Sequence, residues 1–111
     1  MESELGEMTP LEVKARLDAR SPDFVLLDCR EPEEIAIARI NGALHIPMGD
    51  IPSRLPALDP AREYVVFCHH GVRSAHVVAF LRKQEFERVR NMTGGIDAWS
   101  RDVDPKVPRY E

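Results

Sequence analysis

Two short runs of apolar, β-prone residues constrain the fold of this chain more than any other feature. Residues 24–27 (FVLL) and 64–67 (YVVF) are continuously apolar instead of alternating, which is typical of strands that are buried on both faces. Such strands belong to parallel sheets whose two faces are covered by helices. Segments with helical patterns separate the runs, so the sequence predicts an α/β domain with a mainly parallel sheet.

Local signals position the remaining elements around these two strands. Thr9, Pro10 and Glu12 combine an N-cap residue, a proline at the first helical position and a capping box. Residues 31–34 (EPEE) predict a second, short helix, and residues 73–84 carry apolar side chains at helical spacing. The other predicted elements are a strand at residues 43–46, a strand at 89–92, a brief helix carrying Ile96 and Trp99, and an irregular tail from Asp102 onward.

The length of the chain, 111 residues, corresponds to one domain with a single hydrophobic core. We predict one domain over residues 1–111, with its core at about 5–100. The apolar runs are far shorter than the ~20 residues of a transmembrane helix, and the polar start, residues 1–4 (MESE), is unlike a signal peptide. The chain is therefore expected to be cytoplasmic, monomeric and independent of membranes.

Charge and cysteine content exclude further classes of protein. The 15 basic residues are interleaved with 19 acidic ones, and the net charge is -4, so no nucleic-acid partner is expected. Two cysteines, Cys29 and Cys68, are too few for the disulfide scaffold of a small secreted protein. A single cationic pocket remains compatible with this net charge.

The segment CHHGVRS at residues 68–74 carries the predicted chemistry. It lies between a buried strand and the N-terminus of a helix, and ligands of parallel sheets bind at the carboxyl ends of the strands. Backbone N–H groups in such a loop converge on one point and stabilise an anion, here the thiolate of Cys68. Arg73 is expected to be the nearest permanent cation, with His69 and His70 adding positive charge. Cys68 is therefore the candidate nucleophile, since these polar neighbours do not suit a buried structural cysteine.

Four motifs in this order resemble the signatures of the single-domain rhodaneses, a family of sulfurtransferases. Together they span most of residues 5–100. The motifs are residues 26–34 (LLDCREPEE, with Asp-x-Arg-x-Pro after a strand), residues 40–47 (INGALHIP), residues 68–74 (Cys-x-x-Gly-x-Arg-Ser) and residues 91–99 (NMTGGIDAW). The resemblance implies a three-layer α/β fold in which helices flank a five-stranded, mainly parallel sheet.

The resemblance also implies a mechanism. The Cys68 thiolate would take a sulfane sulfur from a small anionic donor, such as thiosulfate or a persulfide. It would pass that sulfur to a thiophilic acceptor, which is cyanide in the test tube and a thiol or a sulfur-carrier protein in the cell. This is covalent catalysis through one nucleophile, without a metal or cofactor. The implied substrate-binding residues are His69, His70, Gly71, Val72, Arg73, Ser74 and Arg30, while Asp28 would organise the loop through hydrogen bonds.

The chain departs from the family pattern outside the 68–74 loop. Cys29 stands where a hydrophobic residue is usual, residues 38–41 (ARIN) replace the more common Gly-His-Ile-Pro, and residues 84–86 (QEF) lack a glycine. Residues 104–110 (DPKVPRY) resemble the end of rhodanese domains attached to adenylating enzymes of sulfur-carrier pathways. This tail indicates a sulfur-relay partner without identifying one.

Cys29 has two interpretations. If the strands that end at Leu27 and Phe67 are neighbours, both cysteines lie at one edge of the sheet, with strands about 4.8 Å apart. That spacing is compatible with the ~4.4–6.8 Å that a disulfide needs between Cα atoms, so Cys29 could resolve an oxidised or persulfidated Cys68. The simpler interpretation, which the sequence favours, is a small buried apolar residue.

Other functions have weaker signals. A phosphatase or arsenate reductase also places a thiolate in an anion-binding loop that ends in arginine, but its loop is one residue longer than His69–Val72. A non-catalytic docking module has no use for both Cys68 and Arg73. A zinc site built from Cys29, Cys68, His69 and His70 has poor ligand spacing, so no metal is expected. His45, His76, Phe80 and Trp99 are interpreted as structural residues.

Overall fold

The computed structural model of the protein describes residues 6–19 and 23–111. Strands and helices alternate along this part of the chain. The strands are β1 (Glu7–Met8), β2 (Phe24–Asp28), β3 (Leu44–His45), β4 (Glu63–Phe67) and β5 (Val89–Met92). The α-helices are α1 (Pro10–Leu17), α2 (Pro32–Ile37), α3 (Ile51–Arg54), α4 (Val72–Lys83) and α5 (Gly95–Asp102), and 3-10 turns at Met48–Asp50 and Leu55–Ala57 flank α3.

The strands form one sheet in the order β1-β5-β4-β2-β3, and all four pairings are parallel. The predicted five-stranded, mainly parallel α/β fold is therefore confirmed. The two apolar runs are neighbours at the centre of the sheet, with Asp28 opposite Phe67. Cys29 and Cys68 follow these partners directly, so both cysteines emerge at the same edge.

Both faces of the central strands are buried, as their continuous apolar sequence indicates. Leu27 and Val66 pack into one core cluster together with Leu81 of α4. Leu26 and Val65 point to the opposite face, into a second cluster that includes Trp99 of α5. Each fully buried side chain of this kind stabilises the folded state by about 1.5–3 kcal/mol relative to an exposed one. Two cores, one on each side of the sheet, hold the carboxyl ends of β2 and β4 in a fixed position.

The predicted helix signals appear at the expected places. The capping box of α1 is formed, because the Glu12 amide donates to Thr9 Oγ1 at 3.1 Å and the Thr9 amide donates to Glu12 Oε1 at 2.8 Å. Helix α4 begins at Val72, one residue before the predicted start, because Gly71 adopts a left-handed φ of 107° as its N-cap. Only glycine adopts this conformation without strain.

The C-terminal tail is irregular, as predicted, but it is anchored to the domain. Arg109 forms two hydrogen bonds with the Asp97 carboxylate, at 2.9 and 3.0 Å. Val107 and Tyr110 pack against the core cluster that contains Trp99. None of the helices within residues 6–19 and 23–111 is long and apolar enough to cross a membrane. Residues 1–4, which bear on the expected lack of a signal peptide, lie outside the described residues.

Candidate active site

The loop between β4 and α4 wraps around the sulfur atom of Cys68. The Gly71 amide donates to Cys68 Sγ at 3.1 Å, and the Ser74 amide does so at 3.4 Å. The Ser74 hydroxyl lies 3.3 Å from the same sulfur. Cys68 itself is only 1% exposed, so these donors replace water around the sulfur. Such an environment favours a thiolate over a thiol.

Ser74 is held by Asn91, which was not among the predicted site residues. Its hydroxyl is also within 2.5 Å of Asn91 Oδ1, and Asn91 Nδ2 donates to the Gly71 carbonyl at 3.1 Å. A hydroxyl has one proton, so Ser74 donates either to Asn91 or to Cys68 at any moment. Asn91 of β5 thereby fixes both the hydroxyl and the loop carbonyl beside the sulfur.

Cys29 lies next to Cys68 in the interior. It is fully buried, its amide donates to the Phe67 carbonyl at 3.1 Å, and its Sγ lies 3.4 Å from that oxygen. The Cys29 thiol, together with the hydrogen bonds from Ser74 and Gly71, lowers the pKa of Cys68 well below its ordinary value, although burial opposes this. Conversely, the Cys68 thiolate and burial raise the pKa of Cys29. Cys68 is therefore the thiolate of the pair and Cys29 the thiol.

Arg73 is engaged by a carboxylate, which the sequence did not predict. Its guanidinium forms two hydrogen bonds with Glu34 of α2, at 2.6 and 2.8 Å. This contact holds the pKa of Glu34 down to about 2 and raises the pKa of Arg73. The cation that we expected beside Cys68 thus belongs to an ion pair, and hydrogen-bond donors dominate the environment of the sulfur.

Asp28 and Arg30 form a buried ion pair beneath the site. Three Arg30 contacts, from its amide, Nε and Nη2, reach the Asp28 carboxylate at 2.7–3.0 Å. Nη2 also donates to the Ala38 carbonyl at 2.8 Å, and the guanidinium lies 5.7 Å from the ring centre of Phe67. We expected Arg30 to bind a donor. It is 0% exposed, so it does not line a surface that is open to one. Among the described residues, the Asp28 carboxylate accepts hydrogen bonds from Arg30 and not from the 68–74 loop. Asp28 therefore orients Arg30 and does not organise the loop as predicted.

Tyr110 in the tail joins several parts of the site. Its ring stacks on His69, with centroids 3.9 Å apart and planes 7° from parallel. Its hydroxyl donates to Glu34 Oε2 at 2.7 Å and accepts from Arg30 Nη1 at 2.9 Å. The His70 ring also lies beside the His69 ring, with centroids 3.9 Å apart and planes tilted by 41°. The irregular tail therefore contributes directly to the wall around the loop.

Helix α5 clamps the loop from below. The Ile96 amide donates to the Cys68 carbonyl at 2.8 Å, and the Asp97 amide donates to the His69 carbonyl at 3.1 Å. The close approach is possible because Gly95 has no side chain: a Cβ at this position would lie 2.4 Å from the Cys68 carbonyl oxygen. Backbone hydrogen bonds thus join the first turn of α5 to the reactive loop.

Comparison with known proteins assigns this arrangement to a family. The profile described as "Rhodanese-like domain" matches residues 9–102. The chain belongs to the rhodanese-like family. It is 40% identical to "Putative sulfurtransferase YtwF" of Bacillus subtilis, over 93% of this chain and 98% of that protein. It is 42% identical to a "Sulfurtransferase" of Allochromatium vinosum, over 80% of this chain and 83% of that protein.

The fold of this rhodanese-like chain also matches solved structures. The crystal structure of a rhodanese-like domain protein from Staphylococcus aureus superposes with a TM-score of 0.81 at 32% identity, covering 96% of this chain and 99% of that one. The family resemblance that the four motifs predict is therefore confirmed, together with the fold that it implies. The parallel sheet of this rhodanese-like chain brings the motif residues Asp28, Cys68 and Gly95 to one region.

The outer part of this rhodanese-like site is formed by three loop residues. His70 is exposed, Val72 is 67% exposed, and His69 is buried with its Nε2 atom lacking a hydrogen-bond partner among the described residues. His45, interpreted as structural, lies 2.6 Å from the Arg30 carbonyl through its Nε2. No cluster of three potential metal ligands occurs in residues 6–19 and 23–111.

Replacing Ser74 by alanine tests which donors control the thiolate of this rhodanese-like protein. We expect the pKa of Cys68 to rise by about one, because the loss of one hydrogen bond to a charged group costs roughly 1.5 kcal/mol. The rate of alkylation by iodoacetamide, measured against pH, should therefore shift to higher pH. Arg73→Ala should shift it less, since Glu34 already neutralises that guanidinium.

Ser100→Ala is the matched control for this substitution. Ser100 is also buried, but its Oγ has no hydrogen-bond partner among the described residues, so its removal should leave the pKa of Cys68 unchanged. An unchanged alkylation profile for Ser74→Ala would contradict the prediction and would assign the hydroxyl proton to Asn91.

Proposed function

We propose that this rhodanese-like protein is a sulfurtransferase that carries sulfane sulfur as a persulfide on Cys68. The observation that carries the proposal is the set of three donors within 3.1–3.4 Å of Cys68 Sγ. They stabilise negative charge on sulfur in a site that excludes water. The names of the two relatives, both sulfurtransferases, agree with this reading.

In the first step, the Cys68 thiolate attacks the outer sulfur of thiosulfate. A new S–S bond forms at Cys68, the S–S bond of thiosulfate breaks, and sulfite departs with the bonding electrons. The charge now lies on the terminal sulfur of the persulfide, within reach of the amides of Gly71 and Ser74. These donors are fixed before the reaction, so they need no reorganisation during it.

In the second step, an acceptor nucleophile attacks the terminal sulfur and releases the Cys68 thiolate. The same environment assists this step, because a thiolate with a low pKa is a good leaving group. Cyanide would give thiocyanate, and a thiolate would give a new persulfide. One cysteine thus accepts and donates the sulfur atom, and no metal or organic cofactor takes part.

The state of Arg73 favours sulfur transfer over phosphate chemistry. A phosphatase needs a guanidinium that is free to bind the phosphate oxygens, but both terminal nitrogens of Arg73, Nη1 and Nη2, engage Glu34. The donors at Cys68 instead converge on the sulfur atom itself. Attraction of an anionic donor is therefore assigned to the backbone amides and to His69 and His70, more than to Arg73.

The physiological acceptor is proposed to be a thiol, either small or on a sulfur-carrier protein. The exposed side chains of His70 and Val72 lie in the loop, so they offer a surface at which such a partner can contact the site. The resemblance of residues 104–110 to the end of domains attached to adenylating enzymes agrees with a relay partner. We further propose that the protein acts as a cytoplasmic monomer, without nucleic acid or membrane.

Sulfur loading tests this function directly. The protein is incubated with thiosulfate, desalted and analysed by mass spectrometry of the intact chain and of its peptides. We expect the mass of one sulfur atom on the peptide that contains Cys68, and its removal by cyanide with formation of thiocyanate. Protein alkylated before the incubation is the control. Hydrolysis of p-nitrophenyl phosphate without any sulfur loading would overturn the proposal in favour of a phosphatase.

A further inference from the structure

Cys29 is the one nucleophilic side chain beside Cys68, in the described residues, that the mechanism above does not use. Both cysteines are free and buried, and both belong to the same core cluster. An apolar side chain would fill the position of Cys29 equally well, so packing does not explain why a thiol stands next to the proposed persulfide.

The sheet fixes how close the two cysteines are. Asp28 and Phe67 are register partners on adjacent parallel strands, and the Cys29 amide continues the ladder by donating to the Phe67 carbonyl at 3.1 Å. The cysteines that follow these partners are therefore held at about the strand spacing of 4.8 Å. This spacing lies within the Cα separation of about 4.4–6.8 Å that a disulfide requires.

The charge of the pair changes when Cys68 becomes loaded. While Cys68 is a thiolate, its charge raises the pKa of Cys29 and keeps that group as an unreactive thiol. After sulfur transfer, Cys68 Sγ is bonded to a second sulfur and the charge moves to the terminal atom. The inner sulfur is then electrophilic, and the nearest thiol to it is Cys29.

We propose that Cys29 is an internal resolving nucleophile, which attacks Cys68 Sγ of the persulfide to form a Cys29–Cys68 disulfide and release hydrosulfide. This inference rests on the proposed function, because it uses the persulfide formed there. It adds a second product, hydrosulfide, and an inactive form of the enzyme, in which the disulfide blocks Cys68. An external acceptor and Cys29 compete for the same loaded intermediate.

The reaction balances without an added oxidant. The bond between Cys68 Sγ and the terminal sulfur breaks, and a bond between the two Sγ atoms forms. The sulfur of Cys29 is oxidised, while the terminal sulfur is reduced to hydrosulfide and takes the proton from the Cys29 thiol. A small-molecule dithiol then reduces the disulfide by exchange and returns both cysteines to their resting state.

A hydroperoxide opens the same route without a sulfur donor. The Cys68 thiolate reduces the peroxide and becomes a sulfenic acid, and the Cys29 thiol attacks its sulfur with loss of water. The product is again the Cys29–Cys68 disulfide. Because peroxide leads to the same disulfide, the inference does not depend on which sulfur donor the enzyme uses.

The first experiment measures the lifetime of the persulfide. Wild-type protein and the Cys29→Ser and Cys29→Ala variants are loaded with thiosulfate, freed of donor and left without an acceptor. In wild type we expect one hydrosulfide per loaded chain and a peptide pair linked through Cys29 and Cys68. In both variants the persulfide should last about tenfold longer or more, since the neighbouring thiol acts at high effective concentration. Equal lifetimes with no linked peptides would overturn the inference while leaving the proposed function intact.

The second experiment treats unloaded protein with one equivalent of hydrogen peroxide. The linked peptides should appear in wild type and be absent from the Cys29 variants, which should carry sulfenic acid on Cys68 instead. Failure of every protein to take sulfur from thiosulfate would count against the proposed function, and this peroxide result would then decide the role of Cys29. Sulfenic acid on wild-type Cys68 without a crosslink would overturn that role. Because the crosslink is read on wild type, the test does not depend on the folding of the variants.

Discussion

Replacing Cys68 by serine is expected to reduce sulfur transfer by at least about a thousandfold and to abolish the sulfur adduct. The hydroxyl of serine stays protonated near neutral pH, whereas the donors from Gly71 and Ser74 favour a thiolate at Cys68. The measurements are thiocyanate formation from thiosulfate and cyanide, and the mass of the chain after loading. An adduct that persists in Cys68→Ser would refute the assignment of the nucleophile.

The matched control for this variant is Cys29→Ser, the same chemical change on the adjacent strand. Cys29 is buried and hydrogen-bonded to the Phe67 carbonyl, and it forms no bond to the donor; serine keeps a hydroxyl where the thiol helps to lower the pKa of Cys68. Cys29→Ser should therefore still gain the mass of one sulfur atom on Cys68. Thermal unfolding of both variants separates loss of the nucleophile from loss of the fold.

Gly95→Ala is expected to destabilise the domain by about 2–5 kcal/mol. Gly95 has a left-handed φ of 63°, and an added Cβ would lie 2.4 Å from the Cys68 carbonyl oxygen and 2.5 Å from that of His69. These neighbours are backbone atoms, so they can move only if the hydrogen bonds between the loop and α5 break. The free energy of unfolding is measured in urea, and alkylation of Cys68 reports on the loop.

Gly42→Ala separates backbone strain from the steric clash. Gly42 also has a positive φ, of 89°, but an added Cβ there meets nothing within 4 Å. Its substitution should cost about 1–2 kcal/mol of strain and leave the alkylation of Cys68 unchanged. If Gly95→Ala were no more destabilising than Gly42→Ala, the close approach of α5 to the loop would not constrain the fold as described.

Local patterns in the sequence predicted the elements of the fold because each pattern reports on a nearby physical cause. Continuous apolar runs indicated the two central strands, and the observed strands, Phe24–Asp28 and Glu63–Phe67, differ from those runs by one residue each. Thr9 and Glu12 fixed the start of α1 by hydrogen bonds within a single turn. The family motifs then predicted the three-layer fold with its five-stranded sheet, which no local pattern contains.

The long-range partners in the site could not be predicted from the same patterns. Glu34 and Arg73 are 39 positions apart, and the sequence offers Arg73 several other carboxylates. The family resemblance implied that Arg30 binds a donor, yet its long side chain turns into the interior toward Asp28. Sequence spacing locates a backbone at an edge of the sheet, but it does not determine which partner a flexible side chain selects.

The clamp between α5 and the reactive loop has a consequence for the dynamics of the enzyme. The carbonyls of Cys68 and His69 accept from the first turn of a helix whose Ile96 and Trp99 are buried in the core. The loop therefore cannot open alone, because opening would expose part of that core. Hydrogen exchange at the Ile96 and Asp97 amides would then follow global unfolding rather than local fraying. The donors that surround Cys68 thus share the stability of the core.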